Sequence, residues 1–152
     1  MPNNLSDNDK VLIRDAFEVL EHVIVGNNVE KGWRPLHPDL NERRNMGEMI
    51  ALLHSEVSEA FESYRNGEVA LWYSGHGTNG EPWKWEGPQQ LTDQETGEKT
   101  LGKPEGIASE LADVFIRMID MADEHDIPLV QAIFEKHFYN TTRPYRHGNK
   151  RA

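Results

Sequence analysis

The sequence has 152 residues, 26 acidic and 16 basic side chains, a formal net charge of −10 and no cysteine. This excludes disulfides, thiol ligands and a thiol nucleophile, and argues against broad nucleic-acid binding, which needs a basic surface. With 37% hydrophobic and 28% charged residues, no membrane-length apolar run and no signal-peptide pattern at the start, one cytoplasmic domain over residues 1–152 is expected.

Ser6, with Asp7 and Asp9 behind it, caps a first helix. Ile13, Ala16, Phe17, Leu20 and Ile24 continue it at helical spacing, and Gly26-Asn27-Asn28 reads as its end. The loop at 27–45 holds Trp33 and His37. It is either a connector anchored by Trp33 or one wall of a ligand pocket, because aromatic faces stack on bases. Asn45 with Glu48 resembles a capping box for a helix over 46–65, and Asn66-Gly67 closes it.

Residues 68–103 form an insert with Trp72, Tyr73, Trp83 and Trp85, and the polar centre of 91–101 reads as a hairpin tip. So long a stretch serves as a functional lid or as a subunit contact. Pro104 suits the first turn of a third helix over 106–123, and Asp126 suits the cap of a fourth, with Pro128 just inside. On the fourth, Lys136, Asn140 and Arg143 share one face. A basic tail at 141–152 adds Arg146 and Lys150, either as a solvated end or as a phosphate-binding cluster.

The second and third helical stretches match at an offset of 54: Leu53, Glu56, Val57, Glu59 and Phe61 fall on Ile107, Glu110, Leu111, Asp113 and Phe115. At about 100° per residue, each acid pair borders an apolar arc of roughly 20° to 140°. Packing the two arcs together brings four carboxylates near one point, where protons or cations must offset their repulsion. Hard divalent ions with oxygen ligands, Mg²⁺ or Mn²⁺, suit such a site, and two or more can be held. Asp120 and Arg117 border the same edge, with Asp120 as a further ligand or as a partner for Arg117 or solvent.

An acidic centre plus a basic face points to phosphate-ester or phosphoanhydride hydrolysis. The segments EMIALLHSEVSEAFESYRNG, KPEGIASELADVFIRMID and EKHFYNTTRPYRHGNKRA resemble the MazG-like nucleotide pyrophosphohydrolases of the all-α NTP pyrophosphatase superfamily, in the small single-domain form of phages and bacteria. The resemblance implies an all-α fold of four to five helices carrying an irregular or hairpin insert, completed as a homodimer or homotetramer. It also implies hydrolysis of a (deoxy)nucleoside triphosphate to monophosphate and pyrophosphate with Mg²⁺ or Mn²⁺. Carried onto this chain, Glu56, Glu59, Glu110 and Asp113 are the metal ligands. Lys136, Asn140 and Arg143 hold the nucleotide, Arg146 and Lys150 assist, and Trp33 and His37 fall at pocket positions. Where many relatives place a general-base glutamate this chain has Ser55, so water activation falls to the metal or to one of the four acids. The aromatic residues favour a purine, guanine first. The competing readings are a hydrolase that releases inorganic phosphate stepwise and a non-enzymatic nucleotide-binding or oligomerisation module.

Overall fold

The computed structural model describes residues 5–35, 42–76, 80–93 and 96–144. Among the described residues are four helices, α1 (Asp7–Glu30), α2 (Met46–Arg65), α3 (Ile107–Glu124) and α4 (Leu129–Thr141), with five strands between α2 and α3. These are β1 (Trp72–His76), β2 (Pro82–Trp85), β3 (Gln90–Thr92), β4 (Lys99–Leu101) and β5 (Lys103–Glu105). The chain is therefore mixed α and β, which corrects the all-α expectation. The insert is the cause: it folds as an antiparallel sheet in the order β2-β1-β5, and β3 pairs with β4 as the expected hairpin. The resemblance rests on the helical segments, and for the insert the expectation stops at an irregular or hairpin arm.

Contacts divide the chain into one unit of residues 1–44 with 119–152 and another of 45–118, with α3 contributing to both. In the first unit, α1 opens on a capping box in which the Ser6 hydroxyl accepts from the Asp9 N–H at 3.1 Å and the Asp9 carboxylate accepts from the Ser6 N–H at 2.9 Å. The helix runs past Gly26 to Glu30, because Asn28 is buried and its side chain hydrogen-bonds Asp120. That interaction offsets the cost of about 1 kcal/mol for a helical glycine.

The middle of this unit is ionic. Asp120 and Glu124 are only 3% and 2% exposed. Arg34 donates to Asp120 at 3.1 Å and pairs with Asp123 at 2.7 Å. Arg44 holds Glu124 with its Nε at 2.7 Å and its backbone N–H at 2.7 Å, and it reaches Asp120 as well. Asp120 thus pairs with Arg34 and Arg44, neither Arg117 nor solvent. The loop after α1 is anchored by buried Arg34, while Trp33 is 63% exposed and is no packing anchor. Asp126 does not cap α4: its carboxylate pairs with Arg43 at 2.6 Å, and Pro128 stands at the cap without a side-chain bond.

In the second unit, Asn45 caps α2 by accepting from the Glu48 N–H at 3.1 Å. Met49, Ala60 and Tyr73 are its buried apolar residues. Elsewhere on the α2 stripe Leu53 is half-buried and Met46, Ile50, Val57, Phe61 and Tyr64 are exposed, so packing of the two arcs within the chain does not cover the stripe as expected. Pro104 belongs to β5 and not to α3, at an edge of the sheet where a strand tolerates a residue without an N–H. Gly102 is required beside it, because a Cβ there would lie 2.4 Å from Cζ2 of Trp85 and 2.6 Å from Cβ of Tyr73.

Burial alone would raise the Asp120 and Glu124 carboxyls, but hydrogen bonds from Arg44, joined at Asp120 by Asn28 and Arg34, leave both below the usual range. Lowered folded values mean that this stabilisation is present above the unfolded carboxylate pKa of about 4 and fades as pH falls through the folded values. Arg44→Ala strands buried Glu124, leaves Asp120 to Arg34 and Asn28, and is expected to cost about 3 kcal/mol in urea unfolding at pH 7. The deficit relative to the parent chain should shrink below about pH 4.

Candidate metal centre

Glu56 and Glu59 lie on α2, and Glu110 and Asp113 lie in the first half of α3, all within the 45–118 unit. The start of α3 is fixed by its surroundings. Gly106 has φ +90°, and a Cβ on it would lie 2.7 Å from the Val69 carbonyl oxygen, so only glycine fits. The Ala108 N–H donates to the Ala70 carbonyl at 2.9 Å, and the Ser109 hydroxyl donates to the Pro104 carbonyl at 3.0 Å. These bonds tie the first turn of α3 to the chain that leaves α2 and to β5.

One carboxylate oxygen from each of Glu56, Glu110 and Asp113 lies within 4.8 Å of the other two. Oxygens bound to one Mg²⁺ or Ca²⁺ at about 2.1–2.5 Å lie no more than about 4–5 Å apart. The spacing, the hard donors and the partial exposure therefore fit a divalent ion. Glu59 stands outside this group of three and is exposed, but its charge is felt at Glu110. Of the four acids expected to meet, three do.

The electrostatics are those of a site short of cations. Burial, then repulsion from Glu59, Asp113 and Glu56, raises the Glu110 carboxyl above its ordinary range. Burial, then Glu56, raises Asp113, with Arg117 and Lys103 pulling the other way. Arg117 grips Glu56 through Nε at 2.8 Å and Nη2 at 2.7 Å. Lys103 on β5 binds both Glu105 oxygens at 3.0 Å, and the Ser74 hydroxyl donates to the same carboxylate at 2.8 Å. Lys103 is raised first by its bond to Glu105, with Glu110 and Asp113 adding to the effect. The insert thus supplies a cation to the acid cluster.

Lys103 is not among the residues expected at the site, and Arg117 is expected beside Asp120. For Arg117 a signal existed, since it stands four residues after Asp113 and seven after Glu110, on the same helical face. Lys103 is delivered by strand pairing, with Ser74 opposite it, which helical periodicity does not report. The Ser55 hydroxyl donates to the Leu52 carbonyl at 2.9 Å.

Lys136, Asn140 and Arg143 belong to the unit of 1–44 and 119–152. Lys136 and Arg143 both approach the Tyr139 ring, at 6.0 and 5.8 Å from its centroid. Trp33 is in the same unit, and His37, Arg146 and Lys150 lie outside the described residues. Among the described residues no helix is long and apolar enough to cross a membrane. Comparison with protein-family models, curated proteins and solved structures returns no match.

A raised folded pKa means that the charged carboxyl is disfavoured in the folded chain. The associated stability is present below the unfolded pKa and is lost as pH rises through the folded value. Glu110→Gln removes one repelling charge and is expected to raise the melting temperature of the metal-free chain at pH 7 by about 1–2 °C, since solvent screens these groups. The gain should vanish near pH 4 and reverse with excess Mn²⁺, as followed by differential scanning calorimetry.

Proposed function

We propose that this chain is a divalent-metal-dependent nucleoside triphosphate pyrophosphohydrolase, acting in the cytoplasm. The observation that carries the reading is the cluster of Glu56, Glu110 and Asp113, whose oxygens gather within 4.8 Å while Glu110 and Asp113 are pushed above the carboxylate range. The family resemblance of the surrounding segments supplies the reaction. Glu56, Glu110 and Asp113 would hold Mg²⁺ or Mn²⁺, with Glu59 beside them. A bound ion offsets charge on phosphate oxygens and acidifies a water.

The chain's own residues divide the remaining work. Arg117 fixes the Glu56 carboxylate, and its charge limits the repulsion at Asp113. Glu59 stays outside the three-oxygen group and is exposed, so it is assigned to accept the proton of the attacking water in place of the absent glutamate at Ser55. Water oxygen bonds to the α-phosphorus, the bond to the β-phosphate bridging oxygen breaks, and pyrophosphate leaves. The resemblance assigns Lys136, Asn140 and Arg143 to the phosphates, a role suited to Lys and Arg.

³¹P NMR of a (deoxy)nucleoside triphosphate incubated with the chain and Mg²⁺ or Mn²⁺ should show monophosphate and pyrophosphate only. Chelator should abolish the reaction, Glu56→Gln and Asp113→Asn should lower kcat by about 100-fold or more, and Arg143→Ala should raise KM by about 10-fold. Release of inorganic phosphate, or turnover indifferent to chelation, would refute the reading.

The apolar residues left open on α2, with Phe61 58% and Tyr64 68% exposed, support assembly with a second copy. Light scattering is expected to give a dimer or tetramer, and Phe61→Glu a smaller particle. A parent chain that stays monomeric at high micromolar concentration would end the assembly proposal.

A further inference from the structure

The insert carries a concavity of about 280 Å³, lined by Glu68, Val69, Trp72, Lys84, Trp85 and Glu86. That is just below the range of about 300–1,000 Å³ that holds drug-sized ligands, so it admits one heterocycle and not a whole nucleotide. Trp72 is its aromatic wall and its rim is charged. Trp85 stands opposite Tyr73 in the strand pairing, so its ring lies on the other face of the sheet, in the space that Gly102 leaves, and its indole N–H donates to the Pro88 carbonyl at 2.9 Å. Trp72 is half-buried, with its indole N–H 3.3 Å from the Glu68 carboxylate and the Lys84 ammonium 4.5 Å above its ring.

The geometry points to this pocket as the seat of the substrate's base, and its charges select guanine. This rests on the pyrophosphohydrolase reading for the rest of the nucleotide. Trp72 supplies stacking, which serves any base. The rim decides among them. Guanine alone of the common bases offers two adjacent donors, N1–H and the N2 amino group, which one carboxylate of Glu68 or Glu86 can accept together. Its opposite edge offers O6 and N7, the acceptors that Lys binds. Adenine and cytosine place an acceptor beside their amino donor, and thymine flanks its one N–H with two carbonyls, so a carboxylate meets repulsion in each case. The base takes the place of the Lys84 ammonium over Trp72, and the ammonium moves to the O6 and N7 edge.

The pocket adjoins the chain that carries the acids. Trp72 pairs with Glu105 across the sheet, and its Cδ1 lies 3.1 Å from where a Cβ on Gly106 would stand. Glu110 follows one helical turn, about 5.4 Å, further on.

The test uses nucleosides, which carry no phosphate and need no metal. Guanosine titrated into the chain should quench tryptophan fluorescence and bind about 10-fold or more tighter than adenosine, cytidine or thymidine. Trp72→Ala should lose about 10-fold or more of that affinity, while Trp72→Phe retains most of it and Trp83→Ala, outside the pocket, retains all of it. Glu68→Gln and Glu86→Gln should together erase the preference for guanosine, and they decide the matter if Trp72→Ala does not fold. Equal binding of the four nucleosides, or guanosine binding unmoved in Trp72→Phe, Trp72→Ala and the glutamine variants alike, would overturn the assignment. Guanosine binding as described without any triphosphate turnover would leave the pocket standing and remove the pyrophosphohydrolase reading. Turnover with no base preference would do the reverse.

Discussion

Every carboxylate on α3 has to be offset by a cation or a proton, and the helix treats its two halves differently. In the last two turns Asp120 and Glu124 are almost fully buried, and Arg34 and Arg44 hold them ionised below the usual range. In the first two turns Glu110 and Asp113 face Glu56 with Arg117 and Lys103 as the nearby cations, and both carboxyls are raised. The first arrangement is satisfied as it stands. The second is relieved by a proton or by a divalent ion, and unrelieved charge of this kind is what marks a site rather than a framework. Both sets of acids look alike in the sequence, so the distinction lies in the arginines that reach one set.

The insert changes what the acid pair on α3 is attached to. It returns to the helix through β5, so the charge of Lys103 is felt at Glu110 and Asp113, and Trp72 packs against Gly106 at the turn into α3. Two glycines make this possible, one admitting the Trp85 ring and the other the carbonyl of Val69. A segment that reads as a lid or a subunit contact is therefore bonded to the first turn of the helix that bears half of the acids.

Helical periodicity made α2, α3 and the three clustered acids legible, because each rests on local spacing. The hairpin of β3 and β4 was legible for the same reason. What depended on pairing between distant segments was not: β1 with β5, Arg34 and Arg44 with the end of α3, and Lys103 with the acids. The α2 stripe misled, since Val57, Phe61 and Tyr64 have the spacing of a core face and remain exposed in the single chain. An apolar stripe reports that a helix has something to cover, and it does not say whether the cover comes from the same chain.

The central claim is that Glu56, Glu110 and Asp113 form a divalent-metal centre. Electron paramagnetic resonance of Mn²⁺ titrated into the chain tests it directly, because the free ion's signal falls as it binds. The account predicts saturable binding in the parent chain, tighter at pH 8 than at pH 5 as the raised carboxyls lose their protons, and lost in Glu110→Gln and Asp113→Asn. A Mn²⁺ signal that stays at its free value through the titration, or that falls equally in those variants, would contradict it.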